Sequence, residues 1–171
     1  MDKQIRLQDA SVDNASDIGF IQSQTWLDSY VNENLGITRT DIRSKIEEWN
    51  KGGEERIAAE LLKPNSHTWV AKDGDRIVGF AAGVKKDFEN SIEALHVLPE
   101  YQKQGIGTEL LKKVLDWLGD EKKIIMEVVV YNVRAQELYK KFDFKIVGPA
   151  LDDPIILPSG KTIPKLLMSK G

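Results

Sequence analysis

The residues with the clearest chemical potential lie in the run Tyr101-Gln102-Lys103-Gln104-Gly105-Ile106-Gly107-Thr108. Gly105 and Gly107 have no side chain to keep an anion's oxygens off the backbone, and glycine reaches backbone angles closed to other residues. Thr108 opens a segment with apolar residues at Leu110, Leu111, Val114, Leu115 and Leu118, the spacing of an amphipathic helix. The first turn of such a helix presents unpaired N–H groups and a positive dipole end, so this stretch is suited to phosphate. Two nucleotide loops do not fit it. A dinucleotide fingerprint needs glycine where Leu110 stands, and a phosphate loop needs a Gly-Lys-Ser/Thr ending that is absent. Ser159-Gly160-Lys161-Thr162 has that ending, but Ile155 occupies the position of the required earlier glycine, so it reads as a hairpin turn. A second chemical feature is Glu127, a single carboxylate in the apolar run from Ile124 to Val130, because carboxylates are rarely buried without a partner or a purpose.

The elements that must position these residues are legible around them. Residues 68–71 and 76–84 read as two strands joined at Lys72-Asp73-Gly74-Asp75, a hairpin signal. Residues 89–97 read as the next strand, with Ser91, Glu93, Leu95 and Val97 on one face and Ile92, Ala94 and His96 on the other, ended by Pro99. After the helix 108–118, the near-continuous apolar run 124–130 predicts a strand buried on both faces and parallel to a neighbour. A strand-helix-strand crossover therefore encloses the glycine loop. Asn132 is a good N-cap for a helix over 133–142, and Phe144 to Val147 resumes extended structure. Upstream, Ile5-Arg6-Leu7 reads as a short strand, and Ile18, Ile21, Trp26 and Leu27 mark a first helix. A second helix covers about 41–49, Gly52-Gly53 breaks the pattern, and a third helical piece covers 54–62. The tail from Pro154 to Met168 is expected to close the sheet as a hairpin around Pro158-Ser159-Gly160.

Gln102-x-x-Gly105-x-Gly107, preceded by Val97-Leu98-Pro99-Glu100-Tyr101 and followed by Asn132-x-x-Ala135-x-x-x-Tyr139-x-x-Phe142, resembles the GNAT superfamily of N-acetyltransferases. The likeness is tightest over roughly residues 68–147. It implies an α/β fold in a single domain over 1–171. Its central sheet would be mixed and mostly antiparallel, with one parallel strand pair splayed around the cofactor and helices on the flanks. It implies acetyl-CoA as cofactor, its pantetheine arm paired with the backbone of Leu95, His96 and Val97. Gln102, Lys103, Gln104, Gly105, Ile106, Gly107 and Thr108 would wrap the pyrophosphate, with Lys103 adding a cation. Tyr139 matches the tyrosine placed near the cofactor sulfur, where a phenol can protonate the departing thiolate. Asn132 would contact the cofactor as well as cap its helix. Glu127 matches a glutamate that some members use as base, and Glu93 is the competitor, since other branches place the base on that strand. Trp26, Tyr30 and Trp49 would wall the acceptor pocket, or else serve as ordinary core aromatics. One departure from the family pattern is Asp143 where glycine is usual, a mild one, because Asp tolerates a left-handed helix end.

Composition bounds the chemistry. A chain of 171 residues with 41% hydrophobic and 30% charged residues suits one compact domain with one substantial core. No apolar run approaches the ~20 residues of a membrane span, and Met1-Asp2-Lys3-Gln4 lacks a secretory apolar region, so a cytoplasmic location is the default expectation. With no cysteine, an acyl transfer cannot pass through a protein thiol, and direct transfer is the simpler scheme. A net charge of -3 argues against general nucleic-acid binding. His67 and His96 lie in different strands without clustered ligands, so no metal site is expected, and His96 reads as packing. The expected activity is acetyl transfer from acetyl-CoA to a primary amine, whether small amine, amino acid or peptide amino group. The alternatives are a non-catalytic acyl-CoA-binding or regulatory module and, disfavoured by the acidic balance, acetylation of charged transfer RNA. A homodimer is compatible with this reading, although no isolated pattern calls for one.

Overall fold

The computed structural model describes residues 4–171; Met1-Asp2-Lys3, part of the terminus considered above, lie outside the described residues. In chain order the elements are β1 (Ile5–Asp9), α1 (Ala15–Ser29), α2 (Arg39–Asn50), α3 (Gly53–Leu61), β2 (Ser66–Asp73), β3 (Arg76–Val84), β4 (Asn90–Val97), α4 (Ile106–Leu118), β5 (Ile124–Val129), α5 (Val133–Lys140), β6 (Lys145–Pro149), β7 (Ile155–Ile156), β8 (Thr162–Ile163) and β9 (Lys165–Lys170). Seven strands form a mixed sheet in the order β1-β2-β3-β4-β5-β9-β6, antiparallel throughout except for the parallel pair β4–β5. Among the described residues no helix is long and apolar enough to cross a membrane.

Helices cover both faces of this sheet, and glycines let one of them come close. A Cβ on Gly83 would sit 2.9 Å from Val114 Cγ1, and one on Gly79 would meet Leu110 at 3.4 Å, so α4 lies directly on β3. Phe80, between them in the strand, points to the other face, where Ile18 of α1 and Ile57 of α3 share a cavity wall with it. The main core joins these layers through Ile18, Ile21, Val70, Val78, Leu110, Leu111 and Val114, all buried. A smaller core gathers Ile37, Ile42, Val129, Leu157 and Ile163 beneath Tyr30 and Tyr131.

Three sequence expectations change. β2 runs over Ser66–Asp73, longer than 68–71, because its ends ladder with β1 and β3. The tail turns as expected at Pro158-Ser159-Gly160, but β7 and β8 form a separate two-stranded sheet. It is β9 that enters the main sheet, between β5 and β6. The third change lies in β4. Ala82 pairs with Ala94 whereas Gly83 pairs with Ile92, so Glu93 is an extra, bulged residue. The bulge breaks the simple alternation, and Ile92, opposite Gly83, shares the α4 face with Leu95 and Val97.

Candidate active site

The parallel pair opens within β4, ahead of the glycine loop. β4 and β5 are in register only at Asn90↔Ile124, Ser91↔Ile125 and Ile92↔Met126. Beyond Ile92 the strands part, although each keeps its outer neighbour. The Leu98 N–H donates to the Val78 carbonyl at 2.9 Å, so the alternation of the antiparallel ladder gives the β3 bonds to His96 and Ala94. The peptide groups of Leu95 and Val97 consequently face the gap. The carbonyl of Val97 is taken there by Gln102 Nε2 at 2.8 Å.

Backbone conformation makes the loop a donor array. Lys103 has φ 61° and Gly105 φ 83°, both left-handed, and such reversals turn neighbouring N–H groups toward one side. Gly105 caps α4 with no side-chain hydrogen bond, and the first N–H to donate is that of Glu109, to the Gly105 carbonyl at 3.0 Å. Among the described residues, the six consecutive N–H groups from Lys103 to Thr108 have no acceptor. A Cβ on Gly107 would make only ordinary contacts, 3.7 Å to Leu138 Cδ2 and 3.9 Å to Val97 Cγ2. The surrounding protein therefore leaves room for a side chain at Gly107, and the bare backbone there is left open to an outside group.

A cavity of about 410 Å³ runs from this loop through the gap to α1. On the loop side Lys103, Gly105, Gly107, Thr108, Asn132 and Arg134 border it, and on the far side Thr25, Ser29 and Tyr30. Leu95, His96, Val97, Gln102, Glu93, Glu127 and Tyr139 also border it, so most residues singled out in the sequence converge here. Gln104 and Ile106 do not: Gln104 turns back to the Glu100 carbonyl at 3.1 Å, and Ile106 is buried in the core. Tyr30 is the one of the three aromatics in this cavity. Trp26 packs on Tyr30 with ring centroids 5.0 Å apart, and Trp49 borders a second cavity beneath α3 and stacks under Arg56 at 4.3 Å.

The ionisable groups are held in distinct states. Tyr139 is only 4% exposed and packs edge-on against Phe144 at 6.0 Å. Burial, with Tyr30 nearby, raises its pKa well above the ordinary phenol range, so its hydroxyl stays protonated. Among the described residues that hydroxyl has no hydrogen bond and no buried side-chain polar atom lacks a partner, so it opens on the cavity. Burial first, then Tyr131, pushes Tyr30 up to about 12. Asn132 Oδ1 accepts from the Ala135 N–H at 3.2 Å as the N-cap of α5. Glu127 is neither alone nor deeply buried, contrary to the expectation from its apolar strand. Its side chain is 35% exposed and ion-paired to Lys165 Nζ, itself 10% exposed and donating to the Asp153 carbonyl at 2.9 Å. Glu93 accepts from Ser91 Oγ and from Lys86 Nζ at 3.2 Å. His96 is more than packing: its ring lies 5.2 Å from Phe80, and Nδ1 is 2.8 Å from Thr25 Oγ1.

Sequence reasoning passed over Arg134, Lys141, Thr25 and Ser29, all on the cavity wall. Arg134 had a signal. A cation in the first turn of a helix opposes the peptide dipoles, which makes sense when it serves a neighbouring anion site. Its guanidinium donates to Gln102 Oε1, beside the donor array.

Comparison with known proteins agrees with this architecture. The model of the acetyltransferase (GNAT) family matches residues 34–144. Over 93 residues, 52% of this chain, it is 34% identical to the N-alpha-acetyltransferase RimI of Mycobacterium tuberculosis, and over 82 residues, 46% of this chain, 33% identical to an uncharacterized protein of Mycobacterium leprae. The aligned parts span 58% and 23% of the lengths of those curated relatives. In fold it is similar to the PaiA N-acetyltransferase of Thermoplasma acidophilum, solved in complex with coenzyme A, with TM-score 0.78, 17% identity and 98% of both chains covered. It is also similar to the ribosomal-protein-S18-alanine N-acetyltransferase of Escherichia coli, with TM-score 0.70, 15% identity, and 97% of this chain and 92% of that one covered. With the family match extending over more than half its length, the chain belongs to the GNAT family of acetyltransferases.

Proposed function

We propose that this protein moves an acetyl group from acetyl-CoA to a primary amine by direct attack of the amine on the thioester. The observation that carries the proposal is the set of six unpaired N–H groups from Lys103 to Thr108, at the open end of a splayed parallel pair. The same cavity holds a protonated tyrosine. When bound, acetyl-CoA supplies an acetyl group already activated as a thioester. The amides from Lys103 to Thr108 would hold its pyrophosphate, with Lys103 and Arg134 adding positive charge. The peptide groups of Leu95 and Val97 would pair with the pantetheine arm as a strand does, and the Leu95 amide would polarise the acetyl carbonyl. Tyr139 would give its proton to the departing sulfur. Glu93 and Glu127 border the cavity as carboxylates able to relay a proton, each already holding a lysine. Since the chain has no cysteine, no acetyl-thiol on the protein can intervene.

Among acceptors, the α-amino group of a peptide is the first to test, because the mycobacterial relative is named as an N-alpha-acetyltransferase. Such an amine has a pKa of about 7.7 to 8.0, so a useful fraction is already neutral near pH 7. The experiment is thiol release from acetyl-CoA in the presence of peptides, amino acids and polyamines. Release with one class identifies the acceptor. Tight coenzyme binding with no release from any class would overturn the proposal and leave a binding module.

A further inference from the structure

We infer that His96 takes the proton from the attacking amine, with Thr25 setting the imidazole's tautomer; this rests on the acetyl-transfer reading above. Thr25 Oγ1 donates to the Gln22 carbonyl at 2.9 Å and also lies 2.8 Å from His96 Nδ1. A hydroxyl has a single proton, so that second contact requires His96 Nδ1–H to donate to Thr25. The lone pair is then on Nε2. Among the described residues Nε2 has no hydrogen-bond partner and no buried side-chain polar atom is left unpartnered, so it faces open space, in a ring that borders the cavity.

The surroundings fit a proton acceptor. His96 lies on the α1 face of β4, opposite to Leu95 and Val97, so it looks onto the side of the cavity away from the glycine loop. The residues there are Thr25 and Ser29 of α1 and Tyr30 at its C-cap, none of them charged at neutral pH. The carboxylates across the cavity already hold cations, Glu93 with Lys86, Glu127 with Lys165 and Glu137 with Lys140. Burial lowers the His96 pKa to about 4, which keeps its lone pair free at neutral pH. A weak base suffices, because the proton leaves a nitrogen made cationic by its new bond to carbon. In that step the amine lone pair forms the C–N bond, and the C–S electron pair departs with sulfur. One N–H proton passes to Nε2, and the Tyr139 hydroxyl proton passes to sulfur. Return of the imidazolium proton through cavity water to the Tyr139 oxygen restores both groups, for a net conversion of amine and thioester into amide and thiol.

The test has two independent readouts. Imidazole nitrogen NMR of the ligand-free protein should show the Nδ1–H tautomer for His96, and mixed tautomers in Thr25→Val; an Nε2–H tautomer in the wild type overturns the inference. In kinetics, His96→Gln should lower kcat about 10²- to 10⁴-fold without changing coenzyme affinity by calorimetry. An unchanged kcat in this variant, with the wild type active, removes His96 alone. If His96→Gln does not fold, Thr25→Val decides, by a smaller fall in kcat that accompanies the tautomer change; no fall overturns the inference. Absence of turnover in the wild type removes the underlying acetyl-transfer reading, and this inference with it.

Discussion

Gln102 braces Val97 against Arg134: its Nε2 donates to the Val97 carbonyl at 2.8 Å and its Oε1 accepts from the Arg134 guanidinium. One side chain thus ties the end of β4, the glycine loop and the start of α5, the three pieces that frame the open end of the gap. Gln102→Ala should leave the Val97 carbonyl without its donor and release Arg134. The expected loss is about 1 to 1.5 kcal/mol in urea unfolding. A comparable loss in coenzyme binding would be roughly tenfold by calorimetry. If neither changes, the brace has no energetic role.

Gly107 separates folding from binding. A Cβ there meets protein atoms no closer than 3.7 Å, and the residue lies in the first turn of α4, where alanine is the better helix former. Gly107→Ala should therefore raise stability by about 0.5 to 1 kcal/mol. If the proposed pyrophosphate contact is made, the same methyl group would stand between a phosphate and the amides, and coenzyme affinity should fall tenfold or more, which is about 1.4 kcal/mol. Thermal unfolding and calorimetry on one preparation check both halves. Gly105→Ala is the less informative change, because at φ 83° it adds about 1 to 2 kcal/mol of backbone strain.

Tyr139→Phe isolates a hydroxyl. The ring keeps its edge-on contact with Phe144, and no hydrogen bond among the described residues is lost. Stability should stay within about 0.5 kcal/mol of the wild type. Turnover should fall about 10²- to 10⁴-fold, the range for a group that transfers a proton in the transition state. Steady-state kinetics with equal coenzyme binding would place the effect on kcat, and an unchanged kcat would retire the tyrosine as a proton donor.

The features that could be read from the chain are those written in backbone demand. Gly105 and Asp143 stand at left-handed positions, φ 83° and 67°, and Asn132 caps the helix it was expected to cap. The apolar run 124–130 predicted a parallel neighbour, and β5 has one. What could not be read depends on which distant side chains meet. The bulge at Glu93 arises from register with β3, so period-two counting through residues 91–97 assigns Ile92 to the wrong face. Lys165 reaches Glu127 only because β9 inserts beside β5, which no spacing in the tail announces. Thr25 and His96 are 71 residues apart, and only the packing of α1 on β4 makes them partners. Trp26 and Trp49 carried the same aromatic signal as Tyr30, yet packing keeps both out of the cavity that Tyr139 borders.

The half-buried imidazole of His96 also sets how stability should vary with acid. Its folded pKa, about 4, lies below the ordinary 6.5, so as pH falls the unfolded chain takes up this proton before the folded one does. Its full contribution is present above about pH 6.5 and is lost progressively as pH falls through the folded value, a span worth roughly 3 kcal/mol. The other strongly shifted groups titrate elsewhere. Burial moves Tyr30 and Tyr139 upward, while hydrogen bonds from Ser159, Thr38 and Lys161 hold the Asp41 carboxylate below the usual range. Urea unfolding between neutral pH and about pH 4.5 should therefore show a loss in the wild type that is much smaller in His96→Gln, which has no group to protonate there. Equal pH slopes for the two proteins would mean that the ring takes its proton in the native state and is not held neutral by its surroundings.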